Sequence, residues 1–103
     1  MPVILSPQAA RDIEDIGDYI YTQNAHAALR FVSALRSRLD KIADAPRGGV
    51  RRTDIGDGIR SVPFRRYVIF YTVPSDDEVR IERVLHGARD IDAVFIEDAE
   101  DTD

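Results

Sequence analysis

The sequence predicts an α+β domain of order β-α-α-β-β-β, with a helical hairpin packed on one face of a small antiparallel sheet. Three observations predict it. Two apolar repeats of helical period follow one another in the first half of the chain, separated by a short polar break. Three segments rich in β-branched and aromatic residues then follow, joined by connections too short for a crossover. Neither a βαβ rhythm nor an internal repeat is present.

The elements follow in order. "VIL" (3–5) is a short apolar first strand. Ser6 supplies an N-cap and Pro7 suits the first helical position. Ala10, Ile13, Ile16, Gly17 and Ile20 recur at helical spacing, and Gly17 is read as allowing close approach of a second helix. That helix opens near Asn24 and repeats Ala28, Phe31, Val32, Leu35, Leu39 and Ile42 until Pro46 and Gly48–Gly49 stop it. "TQN" joins the two into an antiparallel hairpin. Strands are expected at "GIRSVP" (58–63), "RYVIFYTV" (66–73) and "EVRIERVLH" (78–86), with a tight corner at "FR" and a turn at "PSDD". The middle strand is apolar throughout because it is flanked on both sides. Alternation is expected to send Arg60 and Arg83 to the uncovered sheet face.

Composition narrows the function. A chain of 103 residues without cysteine is one domain with a single core and no disulfide, thiolate metal site or cysteine nucleophile. No apolar run is long enough to span a bilayer, so the expectation is a soluble cytoplasmic protein with no membrane partner. The net charge of −5 divides unevenly. Residues 90–103 hold seven acids and no base, whereas the other 89 residues carry 14 basic and 12 acidic groups. Six arginines crowd residues 47–66 against Asp54 and Asp57. The domain is expected to span residues 1–95, followed by an acidic, flexible tail at 96–103. Thirteen of the 14 basic residues are arginine, Lys41 being the exception, and arginine favours fixed bidentate contacts. A basic patch beside aromatic residues is also a nucleic-acid footprint. The acidic total and the absence of a recognition-helix pattern favour a protein partner instead.

"LSPQAARDIEDI", "LDKIADAPRGG", "GIRSVPFRRYVIFYTV" and "RIERVLHGARD", in this order and spacing, together resemble the ParE toxins of the RelE/ParE superfamily over residues 3 to about 95. The resemblance implies the same fold and a bacterial toxin neutralised by a co-expressed, ParD-like antitoxin. The antitoxin's C-terminal segment would wrap the toxin and its N-terminal ribbon-helix-helix part would bind operator DNA, which the toxin then meets only indirectly. ParE members poison DNA gyrase; RelE-like members cut mRNA on the ribosome.

The residues favour the first branch. RNA cleavage needs a base for the 2′-OH, a donor to the leaving oxygen and cations for the phosphate. Arg60 and Arg89 stand roughly where family arginines would, but sheet lysines are missing and Phe95 replaces the expected tyrosine, leaving His86 as the one candidate base. No catalytic residue is therefore assigned, and the ribosome-dependent endonuclease is the alternative, with a diverged, non-toxic binding module third. Asp44, Asp54 and Asp57 lack metal-ligand spacing, and neither metal nor cofactor is expected. By family analogy the antitoxin groove runs along the hairpin and the adjoining sheet. Arg60, with Val62 on the same side of its strand, is the expected anchor, and Tyr19 and Phe31 are further contacts. Arg65, Arg66, Arg83, His86 and Arg89 are the candidates for facing a partner or target.

Overall fold

In the computed structural model the described residues are 1–87, 90 and 91; expectations for Arg89, Phe95 and the segment 96–103 lie outside them. The chain forms β1 (Val3–Leu5), α1 (Pro7–Gln23), α2 (Ala25–Asp44), β2 (Val50–Arg51), β3 (Arg60–Phe64), β4 (Tyr67–Ser75) and β5 (Glu78–His86). The strands make one sheet in the order β1-β5-β4-β3-β2.

Local chemistry explains the helical hairpin. Ser6 caps α1, its Oγ accepting from the Ala9 N–H at 2.9 Å, with Pro7 at the first helical position. The same buried serine donates its hydroxyl to the Glu82 carbonyl (2.7 Å) and its N–H to the Ile81 carbonyl (2.9 Å), so one residue joins β1, α1 and β5. Thr22 and Gln23 complete α1, and the connection is Asn24 alone. Its N–H donates to the Ile20 carbonyl (2.8 Å) while its Oδ1 accepts from the Ala27 N–H (3.0 Å), closing one helix and opening the next. Gly17 does not serve helix approach, because a Cβ placed there meets nothing within 4 Å.

The sheet departs from a pure meander in two ways. β1 runs parallel to β5, pairing Val3, Ile4 and Leu5 with Val79, Arg80 and Ile81, so the sheet is mixed. Short connections fix the directions of β3, β4 and β5, whereas the direction of β1 follows from how the whole hairpin crosses over. A further strand, β2, pairs antiparallel with Ser61 and Arg60. Gly58, at φ 75°, turns the chain into β3, which therefore starts at Arg60. The β3–β4 corner is Arg65–Arg66 between the paired Phe64 and Tyr67, with Arg65 at φ 55°. Central β4 buries Ile69, Phe70 and Tyr71 completely. The core on the helix side joins Ala9, Phe31, Leu35, Leu39 and Ile42 to Ile69, Tyr71, Val79, Ile81 and Val84. Val32, read as a core position, is instead 38% exposed.

Candidate functional site

The most specific geometry lies where α2 ends. The Ala45 N–H closes the helix on the Lys41 and Ile42 carbonyls, and the chain then doubles back through Gly48 and Gly49. Two side chains of the sheet hold this loop. The Tyr71 hydroxyl accepts from the Gly49 N–H (2.9 Å) and donates to the Pro46 carbonyl (2.8 Å). Arg60 Nη1 donates to the carbonyls of Arg47 (3.1 Å) and Gly49 (3.0 Å). Glycine is required at 49 because a Cβ would overlap the Tyr71 hydroxyl and ring. Arg60 stands opposite Tyr71, Val62 opposite Ile69 and Phe64 opposite Tyr67, so all three share the helix-covered face. The expectation that Arg60 reaches the uncovered face is thereby corrected: it closes the loop beneath the end of α2.

Between this loop and α2 lies a cleft of about 190 Å³. Its apolar lining comes from Ile42, Val62 and Tyr71, one wall is the Gly48–Gly49 backbone, and the other carries Arg38 and Lys41. Among the described residues, Arg38 Nε is buried without a hydrogen-bond partner.

The opposite end of β3 and β4 is aromatic. Phe31 packs edge-on against Phe64 and Tyr67, with centroids 5.5 Å away in both cases, and Tyr67 meets the His86 ring at 5.6 Å. Arg65 lies over Phe64 (5.4 Å) and Phe31 (5.7 Å). Phe31 is 2% exposed, so it serves the core, and a partner arriving here meets Arg65 first. Arg66 is exposed beside it, and its carbonyl accepts from the Gly87 N–H.

Arg83 stands opposite Phe70, off the helix-covered face, but turns to α1. It donates from Nε (2.8 Å) and Nη2 (3.0 Å) to Asp12, whose Oδ2 also accepts from the Val84 N–H (3.0 Å). β1 covers only Val79–Ile81 of β5, and Asp12 seals the edge beyond it. Arg83 thus has a structural task. The second face is not bare either: Arg52 lies 5.5 Å over the buried Phe70 and donates to Ser61. Arg52 also binds Asp54, and this hydrogen bond holds the Asp54 carboxyl below its ordinary pKa.

Tyr19 is 65% exposed on the hairpin. Tyr21, Leu29 and Val32 are further exposed apolar residues of the two helices, and sequence reasoning did not single out Tyr21 or Leu29. Leu29 was detectable, since it falls outside the α2 apolar repeat. Arg38 and Lys41 were also missed, because each reads locally as a solvated helix position. Among the described residues, no group of His, Cys, Asp or Glu could hold a metal, and no helix is long and apolar enough to cross a membrane.

Comparison with known proteins identifies relatives of the chain. The family model described as "ParE toxin of type II toxin-antitoxin system, parDE" matches residues 3–91. Toxin ParE1 of Mycobacterium tuberculosis, matched in two strains, is 30% identical over 90 residues, covering 86% of this chain and 92% of that protein. A solved structure titled "Chromosomal ParDE TA system from P. aeruginosa" superposes with a TM-score of 0.71 at 19% identity, covering 84% of this chain and 95% of that one. This last match concerns the fold.

Proposed function

The chain belongs to the ParE toxin family of type II toxin–antitoxin systems, and from that premise we propose that it inhibits DNA gyrase by binding and is neutralised by a ParD-like antitoxin. The observation that carries a binding role is the cleft under α2, where an apolar floor meets arginine and lysine. Val62 lines it and Arg60 holds its Gly49 wall, and with Tyr19 on the hairpin they form the proposed antitoxin surface. Arg65, Arg66 and His86, at the aromatic end, are proposed to face the target.

Catalysis fits the geometry less well. Arg60 pairs with Tyr71 and His86 with Tyr67, positions separated by roughly 13 Å along β4 at the usual strand rise. A base and a phosphate-holding cation must instead converge on one bond within hydrogen-bond reach. Arg83 is engaged by Asp12, and the sole lysine, Lys41, lines the cleft rather than the His86 end.

Purified toxin should lower gyrase supercoiling and leave ribosome-bound message uncut in primer extension, and added antitoxin should restore supercoiling. Codon-specific cuts that disappear in His86→Ala would replace this reading with the RelE-like endonuclease. Arg60→Ala should weaken antitoxin binding by about 2 kcal/mol in calorimetry, as for a central interface arginine. An unchanged affinity, with the fold intact by circular dichroism, removes Arg60 as anchor.

A further inference from the structure

The edges of the sheet are closed unequally. Beyond β1, the edge of β5 is met from α1, where Asp12 Oδ2 accepts from the Val84 N–H. On the far side the Arg52 N–H donates to the Ile59 carbonyl and Val50 pairs with Ser61, so alternate residues of β3 turn toward β2. The next residue in that series is Pro63, which has no N–H to offer. β2 itself turns only Arg51 outward, and a charged side chain discourages pairing at so short an edge.

β1 has no such protection. The Val79 N–H donates to the Pro2 carbonyl and the Ser6 N–H to the Ile81 carbonyl, so the backbone groups of Pro2, Ile4 and Ser6 face β5. Val3 and Leu5 therefore turn their N–H and C=O groups away from the sheet, and no other described residue bonds them. Residues 1–5 carry no charged side chain, and Met1, Ile4 and Leu5 are all exposed. Arg80, opposite Ile4 on β5, is held by Glu82 at 3.0 Å.

We infer that β1 is a strand-pairing edge whose partner is β1 of a second copy of this chain, antiparallel about a two-fold axis at Ile4. Symmetry selects that partner. The four open groups lie on Val3 and Leu5, equidistant from Ile4, so Val3 of either copy meets Leu5 of the other in a hydrogen-bonded pair. All four groups are then satisfied on both copies. Ile4 meets its own counterpart in the non-hydrogen-bonded position, where Cα atoms lie about 4.5 Å apart and apolar side chains touch. α1 packs chiefly on β5 rather than on β1. Its two copies therefore stand about 14 Å apart across the axis, three strand spacings, and do not collide. β1 lies across the sheet from β3, so the cleft stays open on both copies. The pairing depends on neither the gyrase nor the antitoxin assignment.

A three-residue strand buries less than the roughly 1,200 Å² of a stable interface, so the association is weak and reversible. Sedimentation equilibrium of the full chain should give the monomer mass at micromolar concentration and nearly twice that mass at about 1 mM. Ile4→Lys sets two ammonium groups on the axis and should return the monomer throughout, with an unchanged circular dichroism spectrum. Leu5→Pro removes an outward N–H without touching the β5 pairing and should weaken association about tenfold, since each copy loses a donor. Because the chain has no cysteine, Ile4→Cys supplies a single thiol. Oxidised glutathione should join two copies through it, because about 4.5 Å lies within the Cα range of a disulfide. Val50→Cys, 65% exposed at the other edge, should stay largely monomeric. The monomer mass at every concentration overturns the inference. So does association that survives Ile4→Lys, or a Val50→Cys disulfide that forms as readily as that of Ile4→Cys, since either places the contact elsewhere.

Discussion

The two sides of the sheet treat their arginines in opposite ways. On the β1–β5 side, Arg83 meets a bidentate carboxylate from Asp12, and Ser6 and Asp12 satisfy the strand edge that short β1 leaves open. On the β3 side, Arg38 keeps a buried nitrogen without a hydrogen-bond partner among the described residues, beside a cleft that Tyr71 and Arg60 hold open. A charge that is desolvated and paired belongs to the fold; a cationic side chain that lines a cleft is available to a ligand. The same residue type therefore has two roles in one small domain, and substitution can separate them.

The largest effect should come from the sealed side. Asp12→Ala removes the carboxylate from Arg83 and the acceptor from the Val84 N–H, both partly buried. Breaking such a pair from one end costs about 3 kcal/mol, near the low end for buried pairs because Arg83 retains some exposure. Asp12→Asn, which keeps an acceptor, should cost clearly less. Denaturant melts of the two variants measure the difference, and equal losses would mean that the ion pair adds nothing beyond the acceptor.

Tyr71→Phe probes the clamp that shapes the open side. It strips the partner from the buried Gly49 N–H and one from the Pro46 carbonyl, at a cost of about 1–2 kcal/mol. Amide exchange should quicken at Gly49 and change little at Val84. Uniform acceleration across both sides would show that the clamp is not a local device.

Gly17→Ala touches neither side. With nothing within 4 Å of the new Cβ, the gain in helix propensity should raise stability by about 0.5–1 kcal/mol. Thermal unfolding would then shift upward by about 4 °C, the amount expected for a domain of this size. A downward shift would mean that α1 and α2 approach more closely here than the structure shows.

What the sequence made legible was local. Ser6, Pro7 and Asn24 marked the helix ends, and continuous apolarity identified β4 as the central strand. What it hid was set by distant pairings. The register of β5 shifts between Ile81 and Arg83, leaving Glu82 outside the pairing with Phe70 and Tyr71. Val79 and Ile81 therefore join Val84 in one core although simple alternation would separate them. The face taken by Arg60 depends on the helices covering the Tyr71 side, and the cleft depends on Gly49 meeting a tyrosine 22 residues away. Neither relation leaves a trace in the spacing around Arg38 or Lys41.

The smallest expected effect is the one that sharpens the contrast most. Arg38→Met keeps much of the apolar stem of Arg38 and removes a guanidinium whose Nε has no partner to lose among the described residues. Its stability should stay within about 0.5 kcal/mol of the parent, far from the loss expected for Asp12→Ala. Removal of an unsatisfied buried donor even favours a slight gain, because no hydrogen bond to the described residues is broken and a desolvation cost disappears. Antitoxin affinity should nevertheless fall, since the proposed antitoxin surface loses one of the two cations that line the cleft. Parallel calorimetry and denaturant melts separate these effects. A loss of stability comparable to that of Asp12→Ala would place Arg38 among the arginines that hold the fold, and the difference between the two sides of the sheet would collapse.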